Sequence, residues 1–155
     1  MKVINCFESD MRELAFSEVY KLEECLKELA EHHNKVSRLF KGMYPKNPYS
    51  KTLKRFEEDI KAGKSTIRVV EDDEKIQGFC KVDINGAYGH LDYLIVLKES
   101  RGKGYGDELM TWAINFFEQR GVDQIEIKVV DGNNALSFYE KYGFNVCSQV
   151  LCRRG

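Results

Sequence analysis

The chain has 155 residues, enough to bury a hydrophobic core and too few for several domains, so we expect a single domain over residues 1–155. Hydrophobic residues make up 43% and charged residues 32%, a globular balance that argues against wholesale disorder. The 24 Lys and Arg against 25 Asp and Glu argue against a nucleic-acid binder that relies on bulk positive charge. No apolar run approaches the roughly 20 residues that span a bilayer, so we expect no membrane partner.

The cysteines are odd in number, scattered, and without the C-x₂-C spacing of a zinc site. They are Cys6, Cys25, Cys80, Cys147 and Cys152. We expect small buried thiols in a reducing cytoplasm, and no metal. The first ten residues contain Asn5 and Glu8, polar residues that come too early for a signal peptide.

The first third of the chain has helical periodicity. Ser17 is predicted to cap an amphipathic helix that runs to about His33. A second short helical stretch is predicted over Lys35–Lys41, before a loop with two prolines. Ser50 is predicted to cap a further helix, which ends at Gly63.

The period then changes to that of strands. Thr66–Glu71 and Lys75–Ile84 are rich in β-branched and aromatic residues on either side of a short turn, which predicts a hairpin. His90–Leu97 is nearly all apolar beyond Asp92, as expected for a strand covered on both faces. The rest alternates helix and strand, over Gly102–Arg120, Gln124–Val130, Ala135–Tyr142 and Asn145–Leu151. This order predicts an α/β fold of the α+β type, with helices on the faces of a central sheet.

A glycine-rich loop follows the third predicted strand and opens a helix. It contains Gly102, Gly104 and Gly106, with Arg101 and Lys103 between them. Because glycine lacks a Cβ atom, such a loop can direct several backbone N–H groups at one anion, at the positive end of the helix dipole. The spacing does not match a P-loop or the dinucleotide-binding fingerprint. A phosphate cradle and a simple tight turn both remain open on these residues alone.

A second motif, A-x-x-F-Y-E-K-x-G-F, begins at Ala135 and places Tyr139 on a short helix. On its own, a tyrosine in such a helix is more often core than catalyst. Together with R-x-x-G-x-G from Arg101 to Gly106, and with the same order of elements, the chain resembles the GNAT superfamily of acyl-CoA-dependent N-acetyltransferases. The resemblance covers nearly the whole chain.

The resemblance implies a mixed, splayed central sheet of about six strands with acetyl-CoA in its cleft. The residues that would hold acetyl-CoA are Leu94, Ile95 and Val96 for the pantetheine arm and Arg101, Gly102, Lys103, Gly104, Tyr105 and Gly106 for the pyrophosphate. The asparagine that usually contacts the arm falls on Gly132 here, so Asn133 or Asn134 would substitute. The family's seventh strand has little room, so either the sheet is shorter or a second subunit completes it in a homodimer.

The chemistry implied is direct attack of an amine on the acetyl thioester. Tyr139 occupies the family's usual position for the acid that protonates the leaving thiolate. Asp92 is the first candidate for the base and His90 the second, although some such enzymes bind an already neutral amine and need no base. With two residues of separation, both share a strand face with Leu94 and Val96 unless a bulge intervenes.

The acceptor pocket should be formed by the N-terminal helices and their loop, where His32, His33, Phe40, Met43, Tyr44 and Tyr49 lie. No acidic cluster indicates a polyamine or aminoglycoside site. The leading hypothesis is an N-acetyltransferase that uses acetyl-CoA and a primary amine, either a small metabolite or a protein amine. The alternatives are a non-catalytic acyl-CoA-binding sensor or regulatory module and a phosphate-binding domain unrelated to coenzyme A.

Overall fold

The computed structural model describes residues 11–155, which form a five-stranded sheet in the order β1-β2-β3-β4-β5. The strands are β1 (Met11–Glu13), β2 (Ser65–Asp72), β3 (Lys75–Asn85), β4 (Tyr88–Val96) and β5 (Gln124–Ile127). The helices are α1 (Glu23–Val36), α2 (Tyr49–Lys61), α3 (Tyr105–Gln119) and α4 (Leu136–Glu140), with 3₁₀ helices at Phe16–Leu22 and Lys98–Ser100. Neighbouring strands are antiparallel except β4 and β5, which are parallel, so the sheet is mixed as predicted.

Hydrophobic residues cover both faces of this sheet. On one face, α1 and α2 pack against alternate side chains of β2 to β4, with Phe56 and Phe79 fully buried between them. On the other face, α3 packs through Leu109 and Phe117, and α4 lies beside it. The predicted α/β architecture with helices on both faces is therefore confirmed.

The predicted hairpin is also present, between β2 and β3. The two residues of its turn, Asp73 and Glu74, both have positive φ, at 51° and 62°. A two-residue turn of this kind matches the right-handed twist of the paired strands. The register stays regular from Ser65↔Asp83 to Val70↔Gly78 and shifts at Glu71.

The N-terminal helices differ from the prediction in their limits. Ala15 rather than Ser17 occupies the cap position of the first, 3₁₀ segment, and Pro48 rather than Ser50 precedes α2. The helix predicted over Lys35–Lys41 is wrong beyond Val36, because Ser37 has extended ψ of 133° and ends α1. The backbone N–H groups after Ser37 donate instead to the carboxylate of Asp131, a partner distant in sequence.

The strand predicted over Asn145–Leu151 is wrong. No strand pairing forms in the structure between residues 145 and 155, and Val150 is 95% exposed there. The β-branched residues of this segment favour a strand, but a strand needs a neighbour with free backbone groups. The described sheet consequently has five strands where about six were expected.

Two of the cysteines, Cys25 and Cys80, are buried and free, as predicted. Cys147 and Cys152 are free but exposed, so the prediction of burial is wrong for them. Cys6 and the residues weighed as a signal peptide lie outside the described residues. No helix in residues 11–155 has the length and apolar character to cross a membrane.

Candidate active site

The parallel strands β4 and β5 separate part-way along their length. They pair from Tyr88↔Gln124 to Leu91↔Ile127, and no pairing follows in the described chain. On its other side β4 stays paired to β3 as far as Val96. The segment 94–96 therefore has an edge that no described strand covers. This gap in the sheet is the groove that the splayed sheet implied, and its backbone groups are available to a ligand.

A bulge in β4 lies at the point of separation. Lys81 of β3 is opposite Tyr93, whereas the next residue, Val82, is opposite Leu91, so Asp92 is an extra residue in β4. The bulge reverses the direction of the side chains that follow it. Asp92 and His90 consequently do not share a face with Leu94. The prediction that they would applied only to a strand without a bulge, and β4 has one.

The glycine loop lies directly after β4 and leads into α3. Gly102 and Gly104 both have φ of +84°, a left-handed conformation that favours glycine, and Gly104 is the residue before the helix. Arg101 donates from Nε to the carbonyl of Val96 at 3.3 Å. The first N–H groups of α3 have no partners within the helix. The loop thus has the geometry of an anion-binding turn at a helix N-terminus.

One of the two acidic residues in the first turn of α3, Asp107, contacts residues that directly follow α4. Asp107 accepts hydrogen bonds from the hydroxyl of Tyr142 and from Nζ of Lys141, the latter at 2.9 Å. These two donors lower the pKa of Asp107. The negative charge of Asp107, which would repel a phosphate bound at this end of α3, is therefore paired with the cation of Lys141, the residue after α4.

Tyr139 packs on the same face of the sheet as α3. Its ring makes edge contacts with Phe138 at 5.5 Å and Phe144 at 6.1 Å between centroids. Burial raises the pKa of its phenol, and the nearby Cys80 thiol adds to the rise. The side chain belongs to the cluster that also contains Leu94 and Val96. Tyr139 is therefore brought together with the uncovered segment of β4 and remains protonated at neutral pH.

Asp92 lies on the opposite face, in a buried group of charges. Its carboxylate accepts a hydrogen bond at 2.8 Å from Nζ of Lys81, a residue with no exposed surface. The same ammonium lies 2.9 Å from Asp83 and 3.3 Å from Asp59. Arg55 approaches Asp92 at 3.6 Å from the solvent side. This carboxylate already has a buried ammonium as its partner, and its role as base stays a prediction.

His90 lies next to this group of charges on β4, opposite Asp83 of β3 and Glu126 of β5. The ligand atoms of Asp83, His90 and Asp92 all lie within 4.8 Å of one another. Such a trio could hold a divalent cation. However, the Lys81 ammonium already contacts both carboxylates, and that positive charge opposes a second cation there.

The loop between β5 and α4 packs on the C-terminal end of α1. Asp131 accepts a hydrogen bond from the hydroxyl of Ser37 at 2.8 Å. A Cβ atom at Gly132 would lie 1.9 Å from the carbonyl oxygen of Val36, so only glycine fits where the family's asparagine is usual. Asn133 lies with Oδ1 at 3.4 Å from a ring nitrogen of His32. Asn134 is exposed, and the contact of either asparagine with a pantetheine arm stays a prediction.

A cavity of about 230 Å³ opens on the α1/α2 face beside the gap in the sheet. Tyr93 of β4 and Val130, which follows β5, line it from the two sides of the gap. Of the residues expected to form an acceptor pocket, His33, Tyr44 and Tyr49 line the cavity. His32, Phe40 and Met43 do not line it.

Residues 22–155 match the family described as the acetyltransferase (GNAT) domain. The chain belongs to the GNAT acetyltransferase family. GNAT membership accounts for the splayed sheet, the glycine loop and the short helix with Tyr139 as parts of one fold. It also makes this chain an acyltransferase enzyme.

Known proteins resemble the chain in sequence and in structure. It is 30% identical over 103 residues to N-alpha-acetyltransferase 30 of Schizosaccharomyces pombe, a match covering 63% of this chain and 67% of that protein. It superposes on the PaiA N-acetyltransferase of Thermoplasma acidophilum in complex with coenzyme A, with a TM-score of 0.75, 20% identity and coverage of 90% and 91%. A mutant BH1408 protein of Bacillus halodurans gives a TM-score of 0.75 at 23% identity, covering 93% and 98%.

Sequence reasoning missed the residues that surround Asp92 and the cavity. They are Lys81, Arg55 and Tyr93, whose hydroxyl accepts a hydrogen bond from Arg55 at 3.4 Å. One signal was present for Lys81, a lone lysine flanked by Cys80 and Val82 in a predicted core strand. Nothing in the sequence indicates that Arg55, on a helix distant along the chain, reaches Tyr93.

Proposed function

We propose that this GNAT protein transfers the acetyl group of acetyl-CoA to the nitrogen of a primary amine by direct attack. The observation that carries the proposal is the continuity between two features. The uncovered edge of β4 at residues 94–96 leads, through a short 3₁₀ turn, into the two left-handed glycines before α3. A groove and an anion-binding turn in line suit a ligand with an extended polar arm and a diphosphate.

The arm would lie along Leu94, Ile95 and Val96, where it could add main-chain hydrogen bonds as a further strand. The diphosphate would accept hydrogen bonds from backbone N–H groups of residues 101–106, with positive charge from Arg101 and Lys103. The solved relative from Thermoplasma acidophilum is described as a complex with coenzyme A, which supports this choice of donor.

Three events then complete the reaction. The neutral amine attacks the thioester carbonyl, and the C–N bond forms as the oxyanion develops. Backbone N–H groups along the uncovered segment of β4 stabilise that charge. When the C–S bond breaks, Tyr139 gives its phenolic proton to the departing sulfur and recovers one from the ammonium or from solvent. Because burial raises the pKa of Tyr139, the proton is present at neutral pH.

The amine must lose its proton before it attacks. Asp92 and His90 are the candidates for this step, and they lie on the sheet face opposite Tyr139. In this arrangement the amine would approach from the α1/α2 face and the thioester would be reached through the gap. Because the Asp92 carboxylate is paired with Lys81, binding of an already neutral amine is the simpler route.

The proposal extends to the protein's setting. We propose one domain over residues 1–155, located in the cytoplasm, where the thiols of Cys25, Cys80, Cys147 and Cys152 would stay reduced. A homodimer remains a proposal that a measurement of mass in solution tests.

The test is thiol release from acetyl-CoA in the presence of a panel of amines. We expect Tyr139→Phe to lower kcat by about a hundredfold or more while leaving coenzyme A binding unchanged, because the phenol acts only on the leaving group. Tyr142→Phe is the matched control, since its hydroxyl contacts Asp107 and should matter little. If no amine gives turnover while coenzyme A still raises the melting temperature, the protein is an acyl-CoA-binding module and the proposal is wrong.

A further inference from the structure

The cavity on the α1/α2 face is small and lies at the gap in the sheet. Its volume is about 230 Å³, below the roughly 300–1,000 Å³ of pockets for drug-sized ligands. Tyr93 and Val130 line it, one on each side of the gap. An acceptor amine seated there could approach a thioester held along residues 94–96. The volume allows one side chain of ordinary size beside the amine.

The cavity wall is mainly apolar. Leu26, Leu29 and Ala30 line it from one face of α1. The rings of Tyr44 and Tyr49 line it from the loop and from the start of α2. Burial of apolar surface is favourable here, and the cavity lining in the described structure includes no Asp or Glu. A ligand with several ammonium groups would therefore find no carboxylate on the wall.

The ionisable groups around the cavity do not favour a polycation. Lys46 lines the cavity, and its ammonium lies 4.0 Å from the centre of the Phe40 ring. His33 also lines it, and burial, together with the neighbouring His32, lowers its pKa, so its imidazole is neutral at neutral pH. Two carboxylates beyond the wall act on its tyrosines, and both already have partners. That of Asp92 is paired with Lys81, and that of Asp131 accepts hydrogen bonds from the hydroxyl of Ser37 and from the two backbone N–H groups that follow Ser37. The wall therefore has a net positive charge.

Because the Asp92 carboxylate is paired with Lys81, the basicity of the amine decides how readily it reacts at this site. The α-amine at the N-terminus of a peptide has a pKa of about 7.7–8.0, and a lysine side chain has a pKa of about 10.4. At pH 7.5 about a quarter to two-fifths of the former and about one in a thousand of the latter is neutral, and only the neutral form has a lone pair to attack with. Because Lys81 holds the Asp92 carboxylate, an amine that is often neutral already makes the least demand on a base and is the best acceptor.

We propose that the acceptor of this GNAT protein is the α-amine at the N-terminus of a peptide that begins with an apolar residue. This inference rests on the proposed function and narrows its substrate class. Polyamines and lysine side chains are poor acceptors, because they bring unpaired positive charge to a cationic wall and are rarely neutral.

The experiment measures kcat/KM for thiol release from acetyl-CoA at pH 7.5 with four acceptors. Leucyl-glycyl-glycine presents the proposed chemistry, and leucine is its matched control, with the same side chain on a far more basic amine. Spermidine and Nα-acetyl-lysine present the excluded chemistry. We expect leucyl-glycyl-glycine to exceed the other three acceptors by tenfold or more. Equal or better turnover of leucine, spermidine or Nα-acetyl-lysine overturns the inference.

Reversing the charge of a residue that lines the cavity tests whether the positive charge of the wall disfavours polyamines. Lys46→Glu should raise kcat/KM for spermidine about five-fold, because an attractive charge replaces a repulsive one at the cavity. Lys51→Glu is the matched control, since Lys51 is exposed on α2 and does not line the cavity. If both variants change spermidine turnover equally, or neither does, the wall does not select by charge and the inference is wrong.

The failures of the two proposals are distinguishable. Absence of thiol release with all four acceptors, at concentrations where coenzyme A binds, counts against N-acetyl transfer itself. Turnover with the wrong order of acceptors leaves N-acetyl transfer intact and removes only the assignment of substrate class.

Discussion

Replacement of Lys81 by Met tests how the fold tolerates a charge at the centre of its sheet. The side chain has no exposed surface, and its ammonium lies 2.8 Å from Asp92, 2.9 Å from Asp83 and 3.3 Å from Asp59. Methionine has a similar length and fills the same space without the charge. The substitution leaves three carboxylates close together without their common cation.

The expected cost is large. Removal of one partner from a buried ion pair destabilises a protein by about 3–5 kcal/mol. For a chain of 150–250 residues, each kcal/mol lowers the melting temperature by about 2–4 °C, which gives a fall of about 6–20 °C. Burial alone would lower the pKa of Lys81, but Asp92 and Asp83 raise it on balance. The ammonium form is therefore the one that stabilises the folded state.

The pH dependence follows from the direction of that change. The pKa of Lys81 is higher in the folded state than its unfolded value of about 10.4. The stabilisation of the folded state by the Lys81 ammonium is therefore complete below a pH of about 10.4. The contribution is lost as the pH rises through the folded-state value. The difference between native protein and Lys81→Met should accordingly be constant at neutral pH and narrow only in strong alkali.

Urea unfolding at pH 7.5 measures the change in free energy directly. Lys75→Met on the same strand is the matched control, because Lys75 pairs with Glu24 and Glu99 at the surface and its loss should not move the midpoint. Lys81→Met combined with Asp92→Asn should recover part of the loss, since one unpaired carboxylate is removed. A cost below about 1 kcal/mol for Lys81→Met would refute the reasoning.

Two further predictions concern the glycine loop and the acid stability of the fold. Gly104→Ala should lower the free energy of unfolding by about 1 kcal/mol, because Gly104 has a left-handed φ. Gly63→Ala, just after α2, should cost about the same for the same reason and is the matched control. In titration calorimetry only Gly104→Ala should weaken the binding of coenzyme A. Unchanged affinity of Gly104→Ala for coenzyme A would contradict the proposal that the loop at residues 101–106 binds the diphosphate. The hydrogen bonds from Arg12 lower the pKa of Glu18 from 4.5 to about 2. The contribution of the Glu18 carboxylate to the stability of the fold is therefore complete above pH 4.5 and is lost as the pH falls toward 2. In thermal unfolding, Glu18→Gln should approach native stability over that range; a constant difference would contradict this.

Local signals in the sequence were sufficient for the hairpin, the long helix after the glycine loop and the family. A two-residue turn, a run of β-branched residues and an amphipathic period each depend on residues close together in the chain. The glycine loop and Tyr139 were found for the same reason, because each motif is contiguous. The last predicted strand, over Asn145–Leu151, was wrong because strand formation depends on a neighbour that local propensity does not report.

The sequence by itself determined the family, the order of most elements and the turn that would hold a diphosphate, because these follow from contiguous residues. Only the tertiary structure decided that a bulge turns Asp92 away from Leu94, that Lys81 neutralises its carboxylate, and that Tyr93 and Val130 border one cavity. These features depend on strand register and on helices that are distant in sequence. A shift of one residue in register moves a side chain to the other face of a sheet, and no single-chain pattern records that choice.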